Sequence, residues 1–402
     1  MHRTLLFLAV ASIFLSCSSN IKDLSGTWRG IVDMQGQELP FTFTLAKEEG
    51  KYTAVIRNAE EKLVLDDVQV IDDTLVMVMH IFDAQIRARV LDNKLSGVFI
   101  KNYDLSATVP FQATKGDNYR FAKKEKATID FSGKYSVTFT NEKDTTLGVG
   151  LFTQNENEVK GTFLTPTGDY RYLQGNIIGE TMKLSAFDGN HTYVFTANLK
   201  GDSIIGDFYS GKTYHQVWKG IKTESASLPH PESLTYLKEG FDKIEFSFPD
   251  VDGNKVTPQD DKYKNKVVIL QLFGTWCPNC MDETRFLADW YTQNNKRGVE
   301  IIGLAYERKD DFTYASDRVK KMKEKLNVTY DFVIAGVNDK VKAAETLPML
   351  NKVVAFPTTI FIGKDGKVKY IHTGFSGPGT GIYYEQFKES FNQKINELLA
   401  GS

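Results

Sequence analysis

The chain carries the same β-rich stretch twice, and that duplication limits its architecture more than any other feature. SGTWRGIV from Ser25 lines up with SGKYSVTF from Ser132, and LSGVFI from Leu95 lines up with IIGDFY from Ile204, at nearly the same spacing. Between these anchors LDDVQVIDDTLVMVM matches LQGNIIGETMKLSAF in pattern. Within the first copy PFTFTLA, KYTAVIR, AQIRARVL and similar runs are rich in β-branched and aromatic residues. Gly, Asn and Asp punctuate them at turn intervals, which is the rhythm of a β-barrel or sandwich. Two copies are too few for a solenoid. The reading is therefore two tandem all-β domains, residues 24–116 and 130–223, joined through KKEKATID.

The pattern changes at Thr223. TESASLPHPESLTYLKEG reads as a linker over 224–240, and from 241 to 402 strands alternate with helices. VVILQLF from Val267 is a continuous apolar run, as expected of a strand buried on both faces. VEIIGLAY from Val299 is a second such strand, and a helix is predicted between them over Pro278–Asn294. Further helices are predicted from Ser316 and from Asp339 to Pro348, with a short strand from Asp331 between them. TTIFI, GKDGK and VKYIHT predict an antiparallel hairpin. SGPGTG from Ser376 reads as a turn, since no P-loop lysine accompanies it. Phe387, Phe391, Ile395 and Leu398 then fall at helical spacing in a closing helix. This alternation predicts an α/β domain with a central mixed sheet.

Charge excludes one class of partner. Lys and Arg number 49 against 51 Asp and Glu, so no global field draws in nucleic acid. His80, His191 and His215 are scattered singly and suit satisfied histidines better than metal ligands. At the start, Arg3 precedes an apolar run from Leu5 to Leu15 that is too short to anchor stably across a bilayer. Residues 1–16 read as a secretory signal. The run ends in FLSC, which resembles the lipobox of bacterial lipoproteins, although Phe14 stands where that family prefers Leu. The resemblance implies that Cys17 becomes the first mature residue and carries lipid, with 17–23 as a tether. It implies a periplasm-facing protein held at a membrane of the bacterial cell envelope. The alternative is a plain signal peptide cut nearby.

Disulfides persist where exported proteins live. Yet the chain has three cysteines, and beyond Cys17 only Cys277 and Cys280 remain, in GTWCPNC. A protein stapled by disulfides would carry more, closing longer loops. Cys277 falls just past a buried strand at a helix start, where free N–H groups and the helix dipole favour a thiolate. Cys280 lies one turn deeper and should be a shielded thiol, and Pro278 suits the first turn. Such a pair supports thiol–disulfide exchange: Cys277 attacks and Cys280 resolves the mixed disulfide. A zinc site needs four ligands, which no further cysteine supplies. A c-type haem site needs His where Met281 stands. A peroxidatic cysteine needs its own Pro- and Thr-bearing loop, which LFGTWC does not match.

KVVILQLFGTWCPNCMDETRFL, followed by AFPTTIFIGKDGKVKYIHTGF, resembles the TlpA/ResA-type thioredoxin-like thiol–disulfide oxidoreductases of bacterial envelopes. The resemblance runs from about Phe241 to the C-terminus. It implies that Pro357 is a cis-proline facing the cysteines, on a loop that pairs with an incoming client. Trp276 becomes a shield over the sulfurs. Glu283 matches the family's acidic residue and becomes a proton relay for the buried thiol; its position also suits a solvated first-turn acid. Arg285 and Asn279 stand where the family often has Pro, which bears on potential and client choice. The implied partners are thiols or disulfides of exported proteins and a membrane electron-transfer partner, with no cofactor. Reduction is the implied direction. The Gly-X-Trp opening of the first β domain resembles lipocalin-like barrels, in which Trp28, and Tyr135 in the second copy, would be core plugs or cavity walls. A rival function is accordingly a binding or scaffold protein whose β domains capture a ligand or partner.

Overall fold

The computed structural model describes residues 22–123 and 126–401. The segment read as a signal, and Cys17, lie outside the described residues.

Eight strands follow one another as a meander: β1 (Gly26–Met34), β2 (Gln37–Glu48), β3 (Lys51–Asn58), β4 (Glu61–Ile71), β5 (Thr74–Met79), β6 (Ala84–Leu91), β7 (Lys94–Lys101) and β8 (Asp104–Lys115). β1 pairs back onto β8, with Trp28 opposite Lys115 and Val32 opposite Phe111, and closes a barrel. Closure leaves no open sheet edge. Alternation along β1 and β2 sends Trp28, Val32, Phe41 and Phe43 inward, where they are buried.

The second copy builds β9 (Gly133–Thr140), β10 (Thr145–Asn155), β11 (Glu158–Thr165), β12 (Gly168–Asp169), β13 (Leu173–Ile178), β14 (Thr181–Phe187), β15 (Thr192–Lys200), β16 (Ser203–Ser210) and β17 (Tyr214–Lys222). β9 pairs with both β10 and β17, and β11 with both β10 and β13, so this ring also closes. The two-residue β12 is folded onto β11 as a flap. The duplication persists in detail. Trp28 Nε1 donates to Leu24 O at 2.9 Å, and the Tyr135 hydroxyl donates to Phe131 O at 3.1 Å. Both aromatic rings are buried core. Gly26 and Gly133 precede them at φ +129° and +132°, a conformation that side chains disfavour.

The barrels share a core. Phe187, at the end of β14, enters the apolar cluster of the first barrel and stacks on Phe41 with ring centroids 4.4 Å apart. It meets Phe99 edge-on at 5.0 Å. Arg120, between the copies, is buried and donates to Pro40 O, Arg57 O and Asn58 Oδ1 of the first barrel and to Ser185 Oγ of the second.

The third unit is an α/β domain. β18 (Phe248–Pro249) and β19 (Lys255–Val256) form a small hairpin ahead of the main sheet. In that sheet β20 (Val267–Phe273) is central and buried throughout, as its apolar run predicts. β21 (Val299–Glu307) and β22 (Asp331–Val337) continue it in parallel on one side. β23 (Thr358–Ile362) and β24 (Val368–Thr373) continue it antiparallel on the other. The helices are α1 (Pro278–Asn294), α2 (Phe312–Lys325), α3 (Lys340–Thr346) and α4 (Ile382–Ala400). Phe286 and Trp290 of α1 pack edge-on against Phe391 of α4. α2 starts at Phe312 and not at Ser316, because Asp311 caps it by accepting from Tyr314 N at 2.9 Å. Residues 224–240 lie against this domain: Lys238 N donates to Met349 O at 2.8 Å and Tyr236 N to Asn351 Oδ1 at 2.9 Å.

Phe187→Ala should lower the unfolding free energy by about 3–5 kcal/mol, the usual cost of emptying a buried aromatic site. Denaturant unfolding followed by far-UV circular dichroism checks this. A loss below about 1 kcal/mol would mean that the barrels are not joined through a shared core.

Candidate active site

Cys277 is the N-cap of α1, and its Sγ accepts the Cys280 N–H at 3.2 Å. The two cysteines are joined as a disulfide, with Cα atoms 5.2 Å apart. Cys277 is 7% exposed and Cys280 is wholly buried, so an external thiol meets Cys277 first. The Phe356–Pro357 bond is cis, and Phe356 O lies 3.5 Å from Cys277 Sγ. Trp276 donates from Nε1 to Tyr306 O at 2.8 Å and meets the Phe356 ring edge-on at 5.8 Å. A Cβ on Gly274 would lie 2.1 Å from that indole nitrogen, so only glycine leaves room for the ring in this pose. Trp276, Cys277, Cys280 and the Phe356–Pro357 loop thus come together around one sulfur pair.

Glu283 is wholly buried in α1 and not the solvent-facing acid its position also allowed. Its Oε1 accepts from Thr359 Oγ1 at 2.6 Å and its Oε2 from Gln271 Nε2 at 2.9 Å. Gln271 also reaches the Cys280 carbonyl at 3.5 Å and accepts from Thr284 Oγ1 at 3.2 Å. Burial pushes the Glu283 carboxyl up to about 7, against the pull of the Thr359 and Gln271 hydrogen bonds. A carboxyl poised near neutrality one turn from a buried thiol suits proton exchange with it. Gln271 and Thr359 were not singled out from the sequence. Gln271 leaves a trace there, as the one polar residue in VVILQLF: a polar group buried on both faces needs partners.

The second barrel meets this site directly. Asn190 Nδ2 donates to Trp276 O at 3.0 Å, and Asn279 Nδ2 donates to Asp169 O at 3.0 Å. Arg171 donates to Pro278 O at 3.1 Å and is paired with Asp282 of α1 and Glu61 of the first barrel. Its Nε lies 3.4 Å from Asp188 Oδ2, an ion-pair contact without hydrogen-bond alignment. Burial alone would lower the guanidinium pKa, but Asp282, Glu61, Asp188 and Asp169 outweigh it and hold the charge firmly. Burial pushes the Asp169 carboxyl up to about 6. Arg308 lies 3.7 Å over the Tyr103 ring of the first barrel and 5.4 Å from the Trp276 ring. The SGPGTG turn also docks here, Gly377 N donating to Asp169 Oδ2 at 2.6 Å. His80, His191 and His215 do not meet one another; they lie beside Asp67, Asp188 and Asp207, and Asp188 is shared with Arg171.

The raised Glu283 pKa ties stability to pH. A carboxyl shifted up from 4.5 to about 7 contributes stability that is complete below about 4.5 and lost as pH rises through 7. The oxidised protein should therefore lose roughly 3 kcal/mol between pH 5 and pH 8.5, at about 1.4 kcal/mol per shifted unit. Glu283→Gln should remove this share of the pH dependence. Urea unfolding at the two pH values measures both; equal slopes in the two proteins would refute the shift.

Residues 241–385 match the Redoxin family. Thiol-disulfide oxidoreductase ResA of Geobacillus thermodenitrificans is 31% identical over 140 residues, which are 35% of this chain and 72% of that protein. ResA of Bacillus subtilis is 27% identical over 138 residues, 34% of this chain and 69% of the relative. Among solved structures, a thioredoxin-family thiol:disulfide interchange protein from Chlorobium tepidum aligns with a TM-score of 0.31 at 20% identity, over 40% of this chain and 98% of its own. A thiol-disulfide oxidoreductase from Bacteroides fragilis aligns with a TM-score of 0.28 at 16% identity, over 37% of this chain and 99% of its own. With a Redoxin domain closing around its one CxxC pair, the chain belongs to the ResA-like, thioredoxin-fold thiol–disulfide oxidoreductases.

Proposed function

We propose that the protein is a membrane-tethered reductase that exchanges disulfides with exported proteins through Cys277 and Cys280. The observation that carries this is the unequal burial of the bonded pair beside the Phe356–Pro357 loop, with Cys277 at the surface end and Cys280 shielded. In the reducing direction the Cys277 thiolate attacks a client disulfide, and one client sulfur leaves as a thiolate. The Cys280 thiolate then attacks Cys277 Sγ and expels the second client sulfur. Two electrons and two protons pass to the client, and the pair returns to the disulfide. Glu283 takes the proton of Cys280 as it becomes nucleophilic, Trp276 shields the sulfurs, and the Phe356–Pro357 loop receives client backbone. A dithiol partner at the membrane regenerates the reduced pair.

Envelope location and the lipid tether rest on the leader and Cys17. Direction rests on the family resemblance. The scaffold reading draws on a cleft of about 590 Å³ where the three units meet, lined by Leu63, Leu65, Met79, Phe82 and Arg171. The barrel interiors themselves are filled by aromatic side chains.

Cys280→Ala is expected to accumulate mixed disulfides with exported proteins through Cys277, seen as thiol-sensitive adducts on non-reducing gels. Absence of adducts, with a silent double-cysteine variant, would leave the scaffold reading. The reduction potential of the pair should lie nearer thioredoxin's roughly −270 mV than DsbA's roughly −120 mV. A value near the latter in glutathione equilibration would reverse the direction.

A further inference from the structure

The Cys277 sulfur lies in the stretch Trp276–Asn279, with the Phe356–Pro357 loop beside it. Gly374 extends that loop, its N–H donating to Pro357 O at 2.9 Å. A protein client must bring its sulfur to Cys277 along this edge. The edge is already in contact with another part of the same chain, the turn between β11 and β12.

That turn is tight. Leu164 pairs with Asp169 and Thr165 with Gly168, leaving Pro166 and Thr167 at the tip. Thr165 Oγ1 donates to Gly168 O at 2.8 Å and stiffens it. Its backbone comes close to the redox edge at Gly374 and Asn279. A Cβ on Gly168 would sit 2.4 Å from Asn279 Nδ2, and a Cβ on Gly374 would sit 3.0 Å from Pro166 O. Gly168 is at φ +139°, a backbone conformation that requires glycine, and its bare Cα leaves room for the Asn279 amide. Asp169 then fastens the turn, its carbonyl to Asn279 and its carboxylate to Gly377 N. Arg171 and Asn190 take the carbonyls of Pro278 and Trp276, the residues on either side of the nucleophile.

We propose that the Thr165–Asp169 turn occupies the client edge of the redox domain in cis, so that the protein rests closed and a client gains Cys277 only when the turn withdraws. Arg171 is the latch, because its one guanidinium bridges the first barrel through Glu61, the loop at Asp188 and the redox helix through Asp282. Small thiols need little of the edge, whereas a polypeptide needs the length that the turn covers. The client role of this edge rests on the exchange activity proposed above; the closure itself does not.

The test uses the full mature chain with Cys17→Ser, reduced, and reads alkylation of Cys277 by mass spectrometry. Iodoacetamide is the small probe, and a maleimide carrying a long polyethylene glycol chain is the bulky one. Gly168→Ala strains the turn backbone at φ +139° and pushes Asn279 Nδ2 off Asp169 O, loosening the turn; Arg171→Met removes the latch. Each should raise the bulky-probe rate at least about tenfold, the factor that ~1.4 kcal/mol of docking represents, and the small-probe rate far less. Should Arg171→Met fail to fold, Gly168→Ala decides alone. An unchanged ratio of bulky to small rates in folded Gly168→Ala overturns the proposal. The same substitutions in the Cys280→Ala background should speed adduct formation with an unfolded disulfide-bearing protein by a similar factor. If the alkylation ratio shifts but no adduct forms in any protein, closure stands and the exchange reading fails.

Discussion

A buried guanidinium fixes how the three units of this molecule are set where they meet. Arg171 brings no apolar surface worth burying, and removing its charge from water is costly. Glu61, Asp188 and Asp282 offset that cost together, and they come from the first barrel, the second barrel and the redox helix. No pair among these segments would hold the charge as well alone. The cluster therefore specifies an arrangement of domains more than it adds stability. Apolar contacts such as Phe187 in the first barrel supply the adhesion, while the charges fix the orientation.

The redox chemistry depends on a second balance of burial against partners. Cys280 and Glu283 lie on the same side of α1 one turn apart, both wholly buried. Gln271 and Thr359, from the two central strands, keep Glu283 hydrogen-bonded without neutralising it. The outcome is a carboxyl that changes protonation near neutral pH at a depth where solvent cannot serve the sulfur. At Cys277 the groups nearest the sulfur are backbone, the Cys280 N–H and the Phe356 carbonyl, while side chains from the second barrel hold the carbonyls on either side.

Much of this was legible in the sequence because it rests on local or periodic signals. The repeat led to two barrels, the unbroken run of β20 to a central strand, and CxxC at a strand-to-helix junction to the sulfur pair. What stayed hidden depends on meetings between distant segments. Arg171 is an unremarkable arginine in a β-rich block until its three carboxylates converge, and SGPGTG reads as a turn until Asp169 is seen to bind Gly377. Glu283 was legible as a residue of interest but not as a buried one, since its fate depended on Thr359, far along the chain.

The ring closures make each barrel complete in itself. Each barrel completes only when its last strand returns to its first, β8 to β1 and β17 to β9, and both events involve residues that precede Cys277. The barrel surface that faces the sulfurs is thus completed without any residue of the redox domain. Loss of β17 would open the second ring and with it the surface that carries Asp169, Arg171 and Asn190 against the redox helix.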